Sequence, residues 1–436
     1  MSVGLNMINR NIEQVVTKEL CTGCGTCVSI CPTKAVTIKL DNRLGVYIPQ
    51  IDSTKCNYCS QCYNACPGET VDFKHLSQNV CKQQPNQPYS VLLGNYVDCY
   101  VGYSTDNNIR FNASSGGIVS QLLICSLEEG LIDGALITRM SKNAPLEPEP
   151  FIARTREEIL EAAASKYCPV PLNKVLDEVL LKPGRYAFVG LPCHIHGLRK
   201  AQLLNKKLRE RIVLTIGIFC SHNDSFGLTN YLLHRLNVMS SDVTSINYRG
   251  HGWPGRFTVR QKSGKLSECA YPDWTKVHEY CFFTPDRCLL CCDHTAELSD
   301  ISTGDAWLPE FSKDNIGTSV FISRNNIGYN CLSLAKSKNQ ISFLKIDSQK
   351  IVKSQGYMRF KKNGVEVRRF VFRLQRKNVP VMNIQMPKSG FVEIPRSAII
   401  FINRFLISKN NSNQNIDRLI SLQVGLKKLY TASTRQ

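Results

Sequence analysis

Apolar runs of strand length alternate with helical patterns through the middle of the chain. The runs at 134–139, 186–189 and 212–219 are short, rich in apolar residues and bounded by turn residues, which predicts buried strands. Around them, apolar residues recur three and four positions apart, which is the spacing of a helix with one buried face. The helices predicted in this way span 118–130, 155–164, 170–181, 194–208 and 226–236. This alternation predicts an α/β or α+β body with a parallel or mixed sheet.

The first 76 residues show a second pattern, in which short strands over 33–40 and 46–51 accompany two cysteine-rich loops. Each loop has the spacing C-x2-C-x2-C-x3-C followed by Pro. The cysteines are Cys21, Cys24, Cys27 and Cys31 in the first loop and Cys56, Cys59, Cys62 and Cys66 in the second. The repetition predicts a ferredoxin-type domain with two βαβ-like halves related by pseudo-symmetry.

This spacing predicts two 4Fe-4S clusters. In the bacterial two-cluster motif, three cysteines of one loop bind one cube and the fourth binds the other cube. The cysteines assigned to the first cluster are Cys21, Cys24, Cys27 and Cys66, and those assigned to the second are Cys56, Cys59, Cys62 and Cys31. A structural zinc site has no use for the third C-x2-C step. Disulfides need an oxidising compartment, and residues 1–20 lack the apolar core of a signal peptide.

Composition places the chain among globular proteins of a reducing compartment. The 436 residues are 43% hydrophobic and 20% charged, which is enough for two or three domains with a sizeable core. Twenty cysteines without a secretory signal predict a cytoplasmic protein with metal chemistry. No apolar run is long enough for a transmembrane helix. The apolar segment at 398–407 contains Asn403 and Arg404, so a buried helix is favoured over peripheral binding at the inner membrane face.

Positive charge is concentrated near the C-terminus. The net charge is +19, and residues 313–436 contain 23 Lys and Arg against 5 Asp and Glu, a surplus of +18. Such a region suits the docking of an acidic ferredoxin, a polyanionic coenzyme or an anionic membrane, and equally a solvated surface. Basic and aromatic residues interleave at 357–377, but no other feature indicates nucleic acid. We therefore expect a ferredoxin domain at 1–76, a linker at 77–98, a catalytic body at 99–312 and a basic region at 313–436.

Two further features of the body are candidate binding sites, and each has more than one interpretation. Ser114, Ser115, Gly116 and Gly117 precede a predicted helix, so they form either a cradle for a cofactor pyrophosphate or an ordinary helix cap. Cys193 and Cys220 follow predicted strands, and Cys288 and Cys291 form a C-x2-C pair. These four could bind a third cluster, or be buried thiols and a zinc half-site. No residue stands out as a catalytic proton donor, and the histidines carry no distinctive pattern.

Several short motifs occur together between residues 100 and 307. They are Ser114-Ser-Gly-Gly117, Ser165-Lys-Tyr-Cys-Pro169, Gly190-Leu-Pro-Cys193, Gly217-Ile-Phe-Cys220, Cys288-x2-Cys291 and Asp300-x3-Gly304-Asp305. In this order they resemble the beta subunits of the hydrogenases and dehydrogenases that use coenzyme F(420), a family whose relatives include 7-hydroxymethyl chlorophyll a reductase. An N-terminal two-cluster ferredoxin segment is also familiar in that family.

The resemblance implies a flavin-binding body with a further 4Fe-4S cluster. Ser115, Gly116 and Gly117 would line the phosphates of FAD, and Lys166 and Tyr167 would lie near the flavin. The implied cluster ligands are Cys193, Cys220, Cys288 and Cys291, although Cys292 adjoins Cys291 and leaves a choice within this set.

The implied function is an oxidoreductase that passes electrons between its clusters and FAD and oxidises or reduces coenzyme F(420). Partners would be that coenzyme, a ferredoxin or a larger redox complex. Two alternatives remain: a ferredoxin-dependent reductase of another organic substrate, and a non-enzymatic electron relay without flavin.

Overall fold

The computed structural model describes residues 10–83, 86–387, 393–409 and 416–422. The helices are α1 Glu13–Thr17, α2 Thr26–Ile30, α3 Gln61–Asn64, α4 Phe73–Asn79, α5 Asn107–Asn112, α6 Ile118–Glu128, α7 Arg156–Glu161, α8 Leu176–Leu181, α9 Pro192–Leu204, α10 Lys206–Arg211, α11 Phe226–Arg235, α12 Tyr271–Glu279, α13 Asp286–Leu289, α14 Asn326–Ser337, α15 Ser348–Ser354, α16 Gly356–Asn363, α17 Val365–Leu374 and α18 Glu393–Lys409. The strands are β1 Val36–Asp41, β2 Val46–Ile51, β3 Thr70–Asp72, β4 Tyr89–Ser90, β5 Gly94–Asn95, β6 Asp98–Ser104, β7 Gly134–Met140, β8 Pro148–Ala153, β9 Tyr186–Gly190, β10 Ile212–Ile218, β11 Val243–Asn247, β12 Arg256–Gln261, β13 Leu266–Ala270, β14 Ile301–Asp305, β15 Ser319–Ser323, β16 Ile341–Ile346 and β17 Val381–Asn383.

An eight-stranded mixed sheet forms the centre of the body, as the strand and helix pattern predicts. Its order is β16-β6-β15-β14-β10-β9-β7-β8. The four neighbours β14, β10, β9 and β7 are parallel, and the strands outside them pair antiparallel. Strands β15 and β16 lie beyond residue 312, so the sheet crosses the predicted start of the basic region. Because β14, β10, β9 and β7 are parallel, their carboxyl ends meet at one edge of the sheet, where α/β sheets bind their ligands.

Helices cover both faces of this sheet, because successive strand residues point to opposite sides. Leu136 and Phe188 pack with α8 and α9 in one hydrophobic cluster. Ala135 and Ala187 pack with α6 and α14 in another. The sheet is thus buried on both sides, which explains why its strands have apolar runs rather than alternating patterns.

The predicted helix at 194–208 is two helices in the structure. Asn205 separates α9 from α10 with an extended backbone, and its side chain caps α10 by accepting a 3.3 Å hydrogen bond from the N–H of Leu208. The predicted helix at 170–181 likewise begins as a 3-10 turn over Leu172–Val175. Polar capping residues within an otherwise apolar pattern account for the first difference.

The cysteine-rich N-terminal region packs directly on the body. Strands β1 and β2 form an antiparallel pair. The N–H of Asn173 donates to the carbonyl of Cys24 at 2.8 Å, and Arg287 Nε donates to the carbonyl of Gly68 at 2.8 Å. The predicted linker contains the small β4–β5 hairpin, and Arg324 Nη1 donates to its carbonyls at Leu93 and Asn95.

Several basic side chains near the C-terminus point inward. Lys361, Lys362, Arg368 and Arg369, on α16 and α17, are buried. These four charges are therefore unavailable to a docking partner, and the predicted basic surface is smaller than the sequence indicates. In the part of the chain that the structure describes, no helix is long and apolar enough to span a membrane.

Candidate functional site

The eight N-terminal cysteines fall into two groups. Burial raises the pKa of Cys27, and the nearby thiols of Cys21, Cys24 and Cys66 raise it further. The pKa of Cys62 is raised by burial and by the thiols of Cys31 and Cys59. Cys56 packs against the hydrophobic cluster that contains Cys31 and Cys62. We call Cys21, Cys24, Cys27 and Cys66 the first set, and Cys31, Cys56, Cys59 and Cys62 the second set.

Four cysteines of the body converge from three segments of the chain. Burial raises the pKa of Cys193 well above its ordinary value, and the thiols of Cys288, Cys220 and Cys291 contribute to this rise. Cys193 lies at the start of α9, Cys220 follows β10, and the other two flank the end of α13. We call Cys193, Cys220, Cys288 and Cys291 the third set. It lies next to the first set, since the thiol of Cys24 also raises the pKa of Cys193.

Cys292 faces away from the third set. Its Sγ lies 3.4 Å from Sδ of Met382, and the residue is fully buried among apolar neighbours. Cys291 instead interacts with Cys193, Cys220 and Cys288. The structure therefore distinguishes two adjacent cysteines that the sequence leaves equivalent.

The described cysteine thiols are spaced more widely than the sulfur ligands of a single zinc ion. All twenty cysteines, each of which the structure describes, are free thiols. A tetrahedral zinc ion brings its sulfur ligands to roughly 3.8 Å from one another. Among the described residues, no three cysteine sulfurs lie together within 4.8 Å. Four buried thiolates brought together would repel one another, so the sets are suited to a cationic core such as the iron of a cluster.

A buried lysine lies against the third set. Nζ of Lys361 donates to the carbonyl of Cys220 at 3.0 Å and to that of Asp293 at 2.6 Å. Burial opposes its charge, but the thiols of Cys291 and Cys220 raise the pKa of Lys361 above its ordinary value. No sequence pattern signals this contact, because Lys361 belongs to a basic segment typical of a solvated surface.

A cavity of about 710 Å³ opens at the carboxyl ends of the parallel strands. Its wall includes Thr138 of β7, Leu191 after β9, Cys220 after β10 and Asp305 of β14. The volume lies in the range of small-molecule and cofactor sites, which is roughly 300–1,000 Å³. Cys220 thus belongs both to the third set and to the cavity wall.

The predicted phosphate cradle lies at one side of this cavity. Ser115 and Gly117 line it, together with the first turn of α6 at residues 118–120. Gly116 lies behind the wall, where its N–H donates to Oγ of Ser319 at 2.9 Å. Gly117 adopts a left-handed conformation with φ of 74° as the N-cap of α6. The first N–H groups of a helix have no intrahelical partner, so this turn can bind phosphate oxygens.

Lys166 and Tyr167 also line the cavity, and they follow Ser165, whose N–H donates to Oγ of Ser114 at 2.7 Å. Nζ of Lys166 donates to the carbonyls of Ala162, Ala163 and Ala164 at 2.6, 2.9 and 2.9 Å, so it caps the end of α7. Burial lowers the pKa of Lys166 to about 7. The ring of Tyr167 meets Trp274 edge-on at 5.1 Å. An apolar cavity with a helix N-terminus at one end fits a flavin nucleotide.

Comparison with known proteins gives matches along most of the chain. Residues 20–70 match the family described as a 4Fe-4S dicluster domain. Residues 99–177 and 184–349 match the N-terminal and C-terminal parts of the family described as coenzyme F(420) hydrogenase/dehydrogenase, beta subunit.

Two curated relatives and one solved structure are similar over long stretches. The beta subunit of the coenzyme F(420) hydrogenase of Methanosarcina barkeri is 30% identical over 240 residues, which cover 52% of this chain and 79% of that protein. One of the subunits of the F(420)H(2) dehydrogenase of Methanosarcina mazei is 27% identical over 324 residues, covering 71% of this chain and 84% of that protein. A chain in a structure of the F(420)-reducing NiFe hydrogenase complex from Methanosarcina barkeri aligns with a TM-score of 0.53 and 25% identity, covering 68% of this chain and 99% of that one.

Proposed function

Because the chain belongs to the family of coenzyme F(420) hydrogenase and dehydrogenase beta subunits, we propose that it exchanges electrons between three 4Fe-4S clusters and FAD, and thereby reduces or oxidises coenzyme F(420). Membership makes it an iron–sulfur oxidoreductase. The flavin, the third cluster and the choice of substrate are the parts that we add. The observation that carries them is the double role of Cys220, which is both a member of the third set and a wall residue of the cavity.

We propose that electrons pass through the three cysteine sets in series. Cys59 of the second set is exposed, so an external electron carrier or a partner protein can reach that end. The thiol of Cys62, in the second set, acts electrostatically on Cys27 in the first set. Cys24 of the first set acts in the same way on Cys193 of the third set. The proposed order of electron transfer is therefore from the second set to the first set, then to the third set and finally to the cavity.

Each part of the cavity has a task in this proposal. A bound flavin supplies the link between single-electron carriers and a two-electron substrate. The first turn of α6 binds its phosphates, and the apolar wall excludes water from its ring. Exposed Lys276 at the rim offers a positive charge to the phosphate and carboxylates of coenzyme F(420).

Iron and flavin content after anaerobic purification is the first test. We expect about twelve iron atoms and one FAD per chain, with turnover of coenzyme F(420). About eight iron atoms and no flavin, even after reconstitution, would contradict the proposal and leave an electron relay without flavin. Twelve iron atoms and FAD with ferredoxin-dependent turnover of another substrate would keep the cofactors and replace the substrate.

A further inference from the structure

Ser221, His278 and Asp224 form a hydrogen-bonded chain beside the cavity. Nδ1 of His278 donates to Oδ2 of Asp224 at 2.5 Å, and Oγ of Ser221 lies 3.2 Å from Nε2 of the same imidazole. Oγ1 of Thr284 donates to the other carboxylate oxygen of Asp224 at 3.2 Å. Asp224 and His278 are buried, whereas Ser221 is partly accessible. Residues 54 apart in sequence, with no shared motif, are brought together by the fold.

The geometry does not suit a metal ion, although His222, Asp224 and His278 place their donor atoms within 4.8 Å. The rings of His222 and His278 are stacked with centroids 3.9 Å apart and planes at 27°. Imidazole lone pairs lie in the ring plane, so two stacked rings cannot both direct nitrogen at one ion. Nε2 of His222 is also engaged by the carbonyl of His278 at 2.9 Å. The pair His278–Asp224 is instead arranged to hold and orient a proton.

The position of Ser221, His278 and Asp224 matches a chemical need of the proposed function. Ser221 and His278 both line the cavity, and Ser221 follows Cys220 directly. Electrons that arrive singly from clusters carry no protons, whereas two-electron reduction of an organic cofactor or substrate takes up protons as well. A bound cofactor would fill the cavity and displace bulk water from it, so protons need a route built from side chains.

We propose that Ser221, His278 and Asp224 are a proton relay between solvent and the cavity, an inference that rests on the proposed function. On reduction, the N–H bond at Nε2 of protonated His278 breaks as an O–H bond to Ser221 forms, and the hydroxyl releases its own proton to the acceptor in the cavity. The electron pair stays on Nε2, and the clusters supply both electrons, so the relay itself is neither oxidised nor reduced. Asp224 orients the ring through its contact with Nδ1. The reverse reaction returns a proton along the same atoms.

Charged neighbours define the electrostatic setting of the relay. The groups near the imidazole or its stacked partner are Asp224, His222, Tyr167, Cys281, Lys361 and Arg396. Exposed Glu279, next to His278 at the cavity rim, allows exchange with solvent.

The test separates electron arrival from proton arrival in the full chain loaded with its cofactors. Wild type, His278→Gln, Asp224→Asn and Ser221→Ala are reduced with dithionite in stopped flow, without coenzyme F(420), and a pH-indicator dye reports proton uptake. We expect iron–sulfur bleaching at the wild-type rate and flavin-linked proton uptake about 100-fold slower in His278→Gln, restored by free imidazole. Exposed His234, changed to Gln, is the matched control and should leave both rates unchanged.

Each other outcome counts against the relay. Unchanged proton uptake in His278→Gln would overturn it. If His278→Gln loses iron or flavin, Ser221→Ala becomes the deciding variant, because it removes only one hydroxyl. Proton uptake at the wild-type rate in Ser221→Ala would overturn the relay. Covalent labelling of Ser221 by a fluorophosphonate would contradict the relay and indicate instead that Ser221 is a nucleophile. Wild type without flavin would overturn both proposals, whereas flavin-loaded variants with unchanged kinetics would overturn the relay alone.

Discussion

Lys361 donates a 3.0 Å hydrogen bond from its buried Nζ to the main-chain carbonyl of Cys220. A cation from a C-terminal helix therefore lies beside the only cysteine, among the three sets in the described chain, that also lines the cavity. Asp293, which accepts from Lys361 through its carbonyl, holds His196 through its carboxylate at 2.8 Å. The third set is thus embedded in a network of fixed charges, and its electrostatics depend on residues that are not ligands.

Removal of this cation should lower the reduction potential of the proposed third cluster. In Lys361→Met the added electron loses a nearby positive charge, so we expect a negative shift on the order of 50–100 mV. Redox titration followed by electron paramagnetic resonance measures it. Lys353→Met, at an exposed position on α15, is the control and should leave the potential unchanged. An equal shift in both variants would mean that overall charge, and not the contact, sets the potential.

Adjacent cysteines should differ in their effect on iron content. Cys291→Ala removes a member of the third set, so we expect a loss of about four iron atoms per chain. Cys292→Ala, whose thiol contacts Met382, should retain the full complement. Iron and acid-labile sulfide analysis of the two variants distinguishes them. Loss of iron in Cys292→Ala with retention in Cys291→Ala would reverse the assignment.

Asp300 should be a major determinant of stability and not of chemistry. Its carboxylate accepts from the N–H and Oγ1 of Thr215, both at 2.7 Å, from Arg199 at 3.1 Å and from Asn325 at 2.7 Å. Asp300→Asn leaves the buried Arg199 without its counter-charge, so the free energy of unfolding should fall by about 3–5 kcal/mol.

Urea unfolding followed by circular dichroism measures this loss. Asp98→Asn is the matched control, because Asp98 pairs with the exposed Lys345 and such surface pairs contribute about 0–1 kcal/mol. Equal losses in the two variants would show that the buried network has no special role.

Lys166 should acquire amine reactivity at an unusually low pH. Only a neutral amine is acetylated, and burial lowers the pKa of Lys166 to about 7. Its acetylation rate should therefore rise through about pH 7, and exposed Lys182 reports the reactivity of an accessible lysine in the same samples. Mass spectrometry after brief treatment with acetic anhydride gives both rates. Added FAD should protect Lys166 and leave Lys182 unaffected, and identical profiles for the two lysines would contradict this.

Local patterns were predictable from the sequence, and contacts between distant segments were not. The strands β9 and β10 were visible because burial on both faces leaves continuous apolar runs. Strand-end positions and the C-x2-C pair suggested grouping Cys193 and Cys220 with Cys288 and Cys291, and the family resemblance strengthened this grouping, since no spacing rule links three separate segments. The sequence did not predict that strand β15 belongs to the sheet, because the basic composition of residues 313–436 gives their charge and not their position in the fold. Lys361 and His278 have ordinary sequence surroundings, and only tertiary structure shows what they contact.

The inward-pointing C-terminal helices also impose an order on biogenesis. All eight cysteines of the first and second sets have been synthesised by residue 66, so those sites can form early on the ribosome. The third set is closed from behind by Lys361, while Arg368 and Arg369 donate to the carbonyls of Leu289 and Leu290 in the loop that carries two of its members. In the proposed three-cluster protein, iron delivery to this set would therefore wait for the last quarter of the chain. A product truncated before α16 would lack Lys361, Arg368 and Arg369 and leave the third set uncovered on that side.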